Sequence, residues 1–221
     1  MKIAVYSGSF NPLHIGHLAI MKHLTQEAGF DMVYLIVSPK NPLKDSISSL
    51  SARDRYKAAI AAVNRHFGST SVVAECGDDM PPPAKGCLTE GKAGGIGTSA
   101  ATDGCKIFVD DIELNMPEPH YSILTLKALQ EREPDRSFTL IMGADNLACI
   151  RNWKDYQNIL TDFGVAVFPR EGHDILSIRQ ELLTESPSYK IRLLDAPLVT
   201  ISSTEIREAL QRGEDVSQFL M

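Results

Sequence analysis

"KIAVYSGSFNPLHIGHLAIMKHLTQEAGFDMVYLIV" (residues 2–37) is the stretch whose reading sets the fold. "KIAVY" (2–6) is a β-branched apolar run stopped by Ser-Gly, as a buried strand is. "HLAIMKHLTQEAG" (17–29) has apolar residues at helical spacing, Leu18, Met21 and Leu24 and again Ile20, Leu24 and Ala28, and ends at Gly29. "MVYLIV" (32–37) is a second buried strand, closed by Ser-Pro. Strand, helix and strand in succession make a βαβ unit. A helical crossover of this kind joins parallel neighbours.

The same alternation runs through the chain. "SARDRYKAAIAAVNRHF" (51–67) reads as a helix with Ser51 as N-cap. "SVVAE" (71–75) and "KIFVDDIEL" (106–114) read as strands, and "YSILTLKALQERE" (121–133) as a helix ended by Pro134. "FTLIMG" (138–143), "GVAVF" (164–168) and "KIRLLD" (190–195) are further strands. They are separated by helices at 152–160 and 174–183 and followed by one at 202–213. The pattern predicts an α/β fold: one doubly wound, Rossmann-like parallel sheet with helices on both faces, in a single domain spanning 1–221.

Bulk composition narrows the function. The chain has 221 residues, 43% of them apolar and 23% charged, with a formal net charge of −6. An acidic balance argues against broad nucleic-acid binding, which needs a basic surface. No signal peptide and no membrane-length apolar run is present, so a cytoplasmic location is expected. The cysteines (Cys76, Cys87, Cys105, Cys149) form no C-x-x-C pair and their spacing does not suit a zinc site, so no metal ligands are assigned. Residues 76–105 carry seven glycines, three consecutive prolines and no aromatic residue, and read as a flexible insertion, with a functional lid as the alternative. A homo-oligomer is compatible with the sequence but not specified by it.

The chemistry gathers after the first strand. In open α/β sheets, ligands bind beyond the carboxyl ends of the strands. "SGSFNPLHIGH" (7–17) lies there. Ser7, Gly8 and Ser9 are small enough for a ligand to approach the backbone, and Pro12 fixes the turn. His14 and His17, three apart, share one face of the helix start. A helix N-terminus offers free N–H groups and partial positive charge. Two imidazole donors added there suit a polyphosphate, though a His pair at this spacing also suits a metal. No G-x-x-x-x-G-K-[ST] motif occurs, so P-loop chemistry is not available. "ISSTEIR" (201–207) opens a second helix. It sets Ser203, Thr204 and Arg207 around another anion-ready terminus, where the plain alternative is a capping box with a surface Arg.

Taken together, G-x-F-x-P-x-H-x-G-H near one end and I-S-S-T-x-x-R near the other resemble the nucleotidyltransferase superfamily of α/β adenylyltransferases. "YSILTLKAL" (121–129) and "IMGADNLACIRNW" (141–153) resemble segments of its bacterial nicotinate-nucleotide adenylyltransferases. The resemblance implies transfer of AMP from ATP to nicotinate mononucleotide, giving the deamido dinucleotide and pyrophosphate. It gives His14 and His17 the ATP phosphates and the transition state, with Lys44 and Arg207 as further catalytic cations. Gly8, Ser9, Phe10, Gly143, Asp145, Ile201, Ser202, Ser203 and Thr204 would form the rest of the ATP site. Trp153 would stack on the pyridine ring and Thr125 would help fix the mononucleotide. Arg55 matches a family position too, with a helix-surface role as the alternative. Mg²⁺ would be carried by the substrate phosphates. Leu124 stands where the family usually has Asp, and "PREGH" (169–173) where Arg-Pro-Gly-aromatic is common. These departures touch the acceptor, so nicotinamide mononucleotide or phosphopantetheine remain alternatives, as does a non-catalytic nucleotide sensor.

Overall fold

The computed structural model describes residues 1–39, 50–68 and 106–221. Among these, six strands form one all-parallel sheet: β1 (Lys2–Gly8), β2 (Met32–Val37), β3 (Lys106–Asp110), β4 (Ser137–Gly143), β5 (Val165–Phe168) and β6 (Ile191–Leu193). Their order is β3-β2-β1-β4-β5-β6, the doubly wound arrangement, so the winding reverses between β1 and β4.

Burial on both faces holds the strands. Ala4, Tyr6, Val33, Leu35 and Val37 enter one core, and Ile3, Val5, Tyr34 and Ile36 enter the other. The first core is covered by α1 (Ile15–Gln26), through Ile20, Met21 and Leu24, and by α2 (Ala52–Phe67), through Tyr56, Ala59 and Val63. The second is covered by α3 (Ser122–Arg132), through Ile123, Leu126 and Leu129, and by Leu147 of α4 (Ala144–Ala148). Three more helices follow: α5 (Tyr156–Asn158), α6 (Ile175–Glu185) and α7 (Ser203–Gln211). Ile3, Val5, Leu35 and Ile36 are fully buried. Each contributes roughly 1.5–3 kcal/mol by burial, more than the ~1 kcal/mol span of strand propensity, so two-sided burial decides that these strands are central.

Most element ends fall within a residue or two of the sequence reading, and Ser51 caps α2, its Oγ accepting from Asp54 N at 3.1 Å. Two elements differ. The strand at 106–114 stops at Asp110, and Ile112–Leu114 forms a 3₁₀ turn. Asp110 Oδ1 accepts the Ile112 N–H at 2.9 Å, and Arg132 Nη2 lies 2.5 Å from Asp110 Oδ2; these bonds turn the chain off the sheet. The helix at 152–160 is α-helical only over Tyr156–Asn158 and continues as a π turn over Ile159–Phe163. Asp155, left-handed at φ 51°, interrupts the helical run. The strand at 71–75, Lys44, the insertion at 76–105 and Cys76, Cys87 and Cys105 lie outside the described residues. Among the described residues, no helix is long and apolar enough to cross a membrane.

Candidate active site

Where β1 and β4 part, a cleft of about 510 Å³ opens over the carboxyl ends of the sheet, within the usual size of a small-molecule site. Gly8 ends β1 and Gly143 ends β4, and both line the cleft. Ser9, Phe10, Asn11, His14 and His17 line it from the first loop and helix, and Ser202, Ser203, Thr204 and Arg207 from α7. Ser7, Asp145 and Trp153 complete the lining residues that the sequence singled out.

His14 is the N-cap of α1. Its Nδ1 accepts the Gly16 N–H at 3.1 Å, and His17 Nδ1 accepts the His14 N–H at 3.2 Å, a reciprocal capping pair built from two imidazoles. A backbone amide can only donate, so each Nδ1 is unprotonated and each neutral ring carries its hydrogen on Nε2. The rings lie 3.8 Å apart between centroids, and Phe10 packs edge-on against His17 at 5.1 Å. A Cβ on Gly16 would overlap the Val199 side chain, which is why a glycine sits between the histidines. Burial, then the nearby Arg170, lowers the His14 pKa to about 4, with Glu205 opposing. Burial, His14 and Arg170 hold His17 well below the ordinary imidazole range.

Two expectations are corrected here. The first-turn amides at His14 and Gly16 are not free for an anion, because the imidazoles consume them. The histidines are also neutral near pH 7, so they offer N–H dipoles through Nε2 rather than positive charge. The described cations of the cleft are Arg207, Arg170 and Lys154.

The C-terminal motif meets the N-terminal one directly. Ser203 Oγ donates to the Pro12 carbonyl at 3.1 Å, across 191 residues of chain. Arg207 Nη1 donates to the Asn11 carbonyl at 2.7 Å and Nη2 to Thr204 Oγ1 at 3.0 Å. Ser202 caps α7, its Oγ accepting from Glu205 N at 3.3 Å while Glu205 Oε2 takes the Ser202 N–H at 2.7 Å. Ile201 packs half-buried against the first core, behind the lining. An isolated antiparallel bridge between His14 and Leu220 ties the chain's last turn to the same place.

Two placements, those of Thr125 and Arg55, differ from the sequence reading. Thr125 is buried and does not line the cleft; its hydroxyl donates to Glu113 Oε1 at 2.8 Å, and Glu113 is the residue that faces the space. Arg55 is not on the helix surface but buried, donating to the carbonyls of Ser9, Ser38 and Pro39. Asp145 sits 3.8 Å from Arg170, with Asp145 Oδ1 and Arg170 Nε both buried and lacking hydrogen-bond partners. Sequence reasoning missed Arg170, Glu113, Ser38, His120 and Lys154, all of which line the cleft. Ser38, Glu113 and Arg170 lie one to three residues beyond the ends of β2, β3 and β5, so the rule that drew attention to the first strand would have found them.

The depressed imidazoles have a consequence for stability. The unfolded chain binds protons at these histidines near pH 6.5, whereas in the folded chain His14 does so only near pH 4 and His17 only well below the ordinary imidazole range. The unfolded state therefore holds more protons between those values, and stability falls as pH drops through that window. We expect the urea midpoint to fall between pH 7.5 and 5.0, and to fall less in the variant carrying His14→Asn and His17→Asn. Equal losses in both proteins would contradict the depressed values.

The chain was compared with known proteins. The model of the cytidylyltransferase-like family matches residues 5–209. A probable nicotinate-nucleotide adenylyltransferase of Flavobacterium johnsoniae is 31% identical over 220 residues, covering 100% of this chain and 92% of that one. Its counterpart in Flavobacterium psychrophilum is 32% identical with the same coverage. Among solved structures, the Plasmodium falciparum nicotinic acid mononucleotide adenylyltransferase complexed with NaAD matches with a TM-score of 0.68 at 18% identity, covering 99% of this chain and 90% of that one. At that identity the likeness speaks for the fold. The family match over most of the chain and the end-to-end relatives agree with the joined motifs at the cleft: the chain belongs to the cytidylyltransferase-like family, alongside the bacterial nicotinate-nucleotide adenylyltransferases.

Proposed function

We propose that the protein transfers AMP from ATP to nicotinate mononucleotide, forming nicotinate adenine dinucleotide and pyrophosphate. The observation that carries this reading is the direct bonding of the Asn11–Pro12 turn to Ser203 and Arg207, which brings both ends of the chain to one cleft. A phosphate oxygen of the acceptor attacks the α-phosphorus of ATP in line. A new P–O bond forms as the bond to the β-phosphate breaks, and pyrophosphate leaves. The second pKa of a phosphate monoester is near 6, so the nucleophile is a dianion at neutral pH and needs no general base. The obstacle is the approach of a dianion to a polyanion, so positioning and charge stabilisation do the catalysis. The Nε2–H groups of His14 and His17 would donate to the α- and β-phosphate oxygens as charge develops. Ser203, Thr204 and Arg207 would hold the departing pyrophosphate, with Lys44 as a further cation. Gly8, Ser9, Phe10, Gly143 and Asp145 would border the nucleoside.

The donor set suits Mg²⁺ carried on phosphate. Both imidazoles spend Nδ1 on backbone and carry hydrogen on Nε2, so neither is set up to ligate a metal, and Mg²⁺ prefers substrate oxygens and water. When bound, it would neutralise part of the polyphosphate charge.

Trp153, half-buried and lining the cleft with Tyr121 and Lys154, would stack on the pyridine ring. Trp153→Ala is expected to raise the KM for the mononucleotide about tenfold and that for ATP less than twofold, since base–aromatic stacking is worth about 1–3 kcal/mol. Equal rises would argue against stacking. The function itself is tested by assaying pyrophosphate release with ATP, Mg²⁺ and nicotinate mononucleotide, nicotinamide mononucleotide or phosphopantetheine in turn. Fastest turnover with the first supports the proposal. A preference for either of the others moves the acceptor, and ATP binding without turnover on any of them makes the protein a sensor.

A further inference from the structure

We propose that Arg55, Ser38 and Glu113 form a bracket of positioning residues that holds the phosphate-facing loop after β1 in its working shape. The proposal rests on the adenylyltransferase reading for its catalytic meaning, but its geometry stands apart from it. The paired register of β1 and β2 ends at Gly8 and Val37, and the last rung is the Ser38 N–H donating to the Gly8 carbonyl at 2.9 Å. Beyond it the strands have no ladder, and the bracket takes over.

Every polar group of Ser38 is engaged. Its N–H is on Gly8, its carbonyl accepts from Arg55 Nη1 at 2.8 Å, and its hydroxyl donates to Glu113 Oε2 at 2.6 Å while lying 3.0 Å from Ser7 Oγ. The same Arg55 Nη1 donates to the Ser9 carbonyl, and Nη2 donates to Pro39 O at 2.8 Å. One guanidinium thus ties the exit of β1 to the exit of β2. From the other side Glu113 Oε1 accepts from Thr125 of α3 at 2.8 Å and from Ser7 at 3.3 Å. Arg55 is 3% exposed and Glu113 3%, and bonds between groups so largely withdrawn from solvent are costly to lose.

The held carbonyl has a mechanical role. Ser9 precedes Phe10, which is left-handed at φ 43°, a conformation costing a non-glycine residue roughly 1–2 kcal/mol unless its surroundings enforce it. The Phe10 ring is edge-on to His17. Released from Arg55, the loop can relax at Phe10, and His17 loses its seat. A shift of about 1 Å at reacting groups is enough to cost up to ~10²-fold in rate.

The test compares the full chain with Arg55→Lys, Ser38→Ala and Glu113→Gln. Lysine keeps the charge but not the fork, alanine removes one hydroxyl, and glutamine keeps the shape without the charge. Two readouts are taken. The first is kcat and KM for both substrates, per mole of protein shown to be folded. The second is amide hydrogen exchange of the peptide spanning 8–14, with residues 175–185 as internal control. The bracket predicts faster exchange in 8–14 alone and a kcat lowered about tenfold, with both KM values within about threefold. A residue that merely stabilises the fold would lower the melting temperature and leave the kcat of folded protein unchanged. Unchanged exchange in 8–14, or unchanged kcat in folded variants, overturns the proposal. If Arg55→Lys does not fold, the other two variants decide. If the wild-type protein turns over no acceptor, the adenylyltransferase reading fails, and the exchange measurement alone decides the bracket.

Discussion

His17→Ala is expected to lower kcat by roughly 10²-fold or more and to change the KM for ATP far less, the scale for removing one preorganised transition-state donor. The ring is fixed on three sides: Nδ1 on the His14 amide, Phe10 edge-on and the His14 ring tilted against it at 3.8 Å between centroids. A donor held this firmly needs no reorganisation when charge develops on the phosphate. Because the ring is neutral in the free protein, the loss is that of an N–H dipole rather than of a cation. His17→Asn keeps both an acceptor for the His14 amide and an outward N–H, so it should recover part of the rate. His17→Lys, with charge but no acceptor, should not. Near-normal turnover in His17→Ala would remove His17 from the transition state.

Arg207→Ala is expected to lower kcat/KM for ATP by about 10²–10³-fold. The side chain has two duties. Nη1 fastens α7 to the Asn11 carbonyl, and the charge faces the cleft beside Thr204. Alanine removes both, whereas Arg207→Lys keeps the charge without the bidentate geometry and should fall between. Steady-state kinetics with ATP varied at saturating acceptor separates the cases. An effect confined to the melting temperature would mean that Arg207 is only a fastener.

Much of this site was legible in the sequence because its residues sit at helix starts. Two histidines three apart at a helix start, and Ser-Ser-Thr opening α7, are local patterns whose physics does not depend on the rest of the chain. The strand order was legible in kind, since βαβ units make parallel neighbours. What was hidden depended on three-dimensional neighbours. The imidazoles lose their charge through burial and Arg170, which lies more than 150 residues away in sequence. Thr125 is buried against Glu113 rather than facing the cleft, and helical periodicity alone does not tell a buried polar face from a ligand-facing one. The helix at 152–160 failed at Asp155, whose left-handed backbone no propensity scale anticipates.

The central claim is that the two ends of the chain grip one triphosphate, and a crystal structure with a non-hydrolysable ATP analogue tests it most directly. We expect the Nε2 atoms of His14 and His17 and the side chains of Ser203, Thr204 and Arg207 to lie within hydrogen-bond distance of the same triphosphate. A triphosphate bound by only one of the two groups, or elsewhere on the surface, would contradict it.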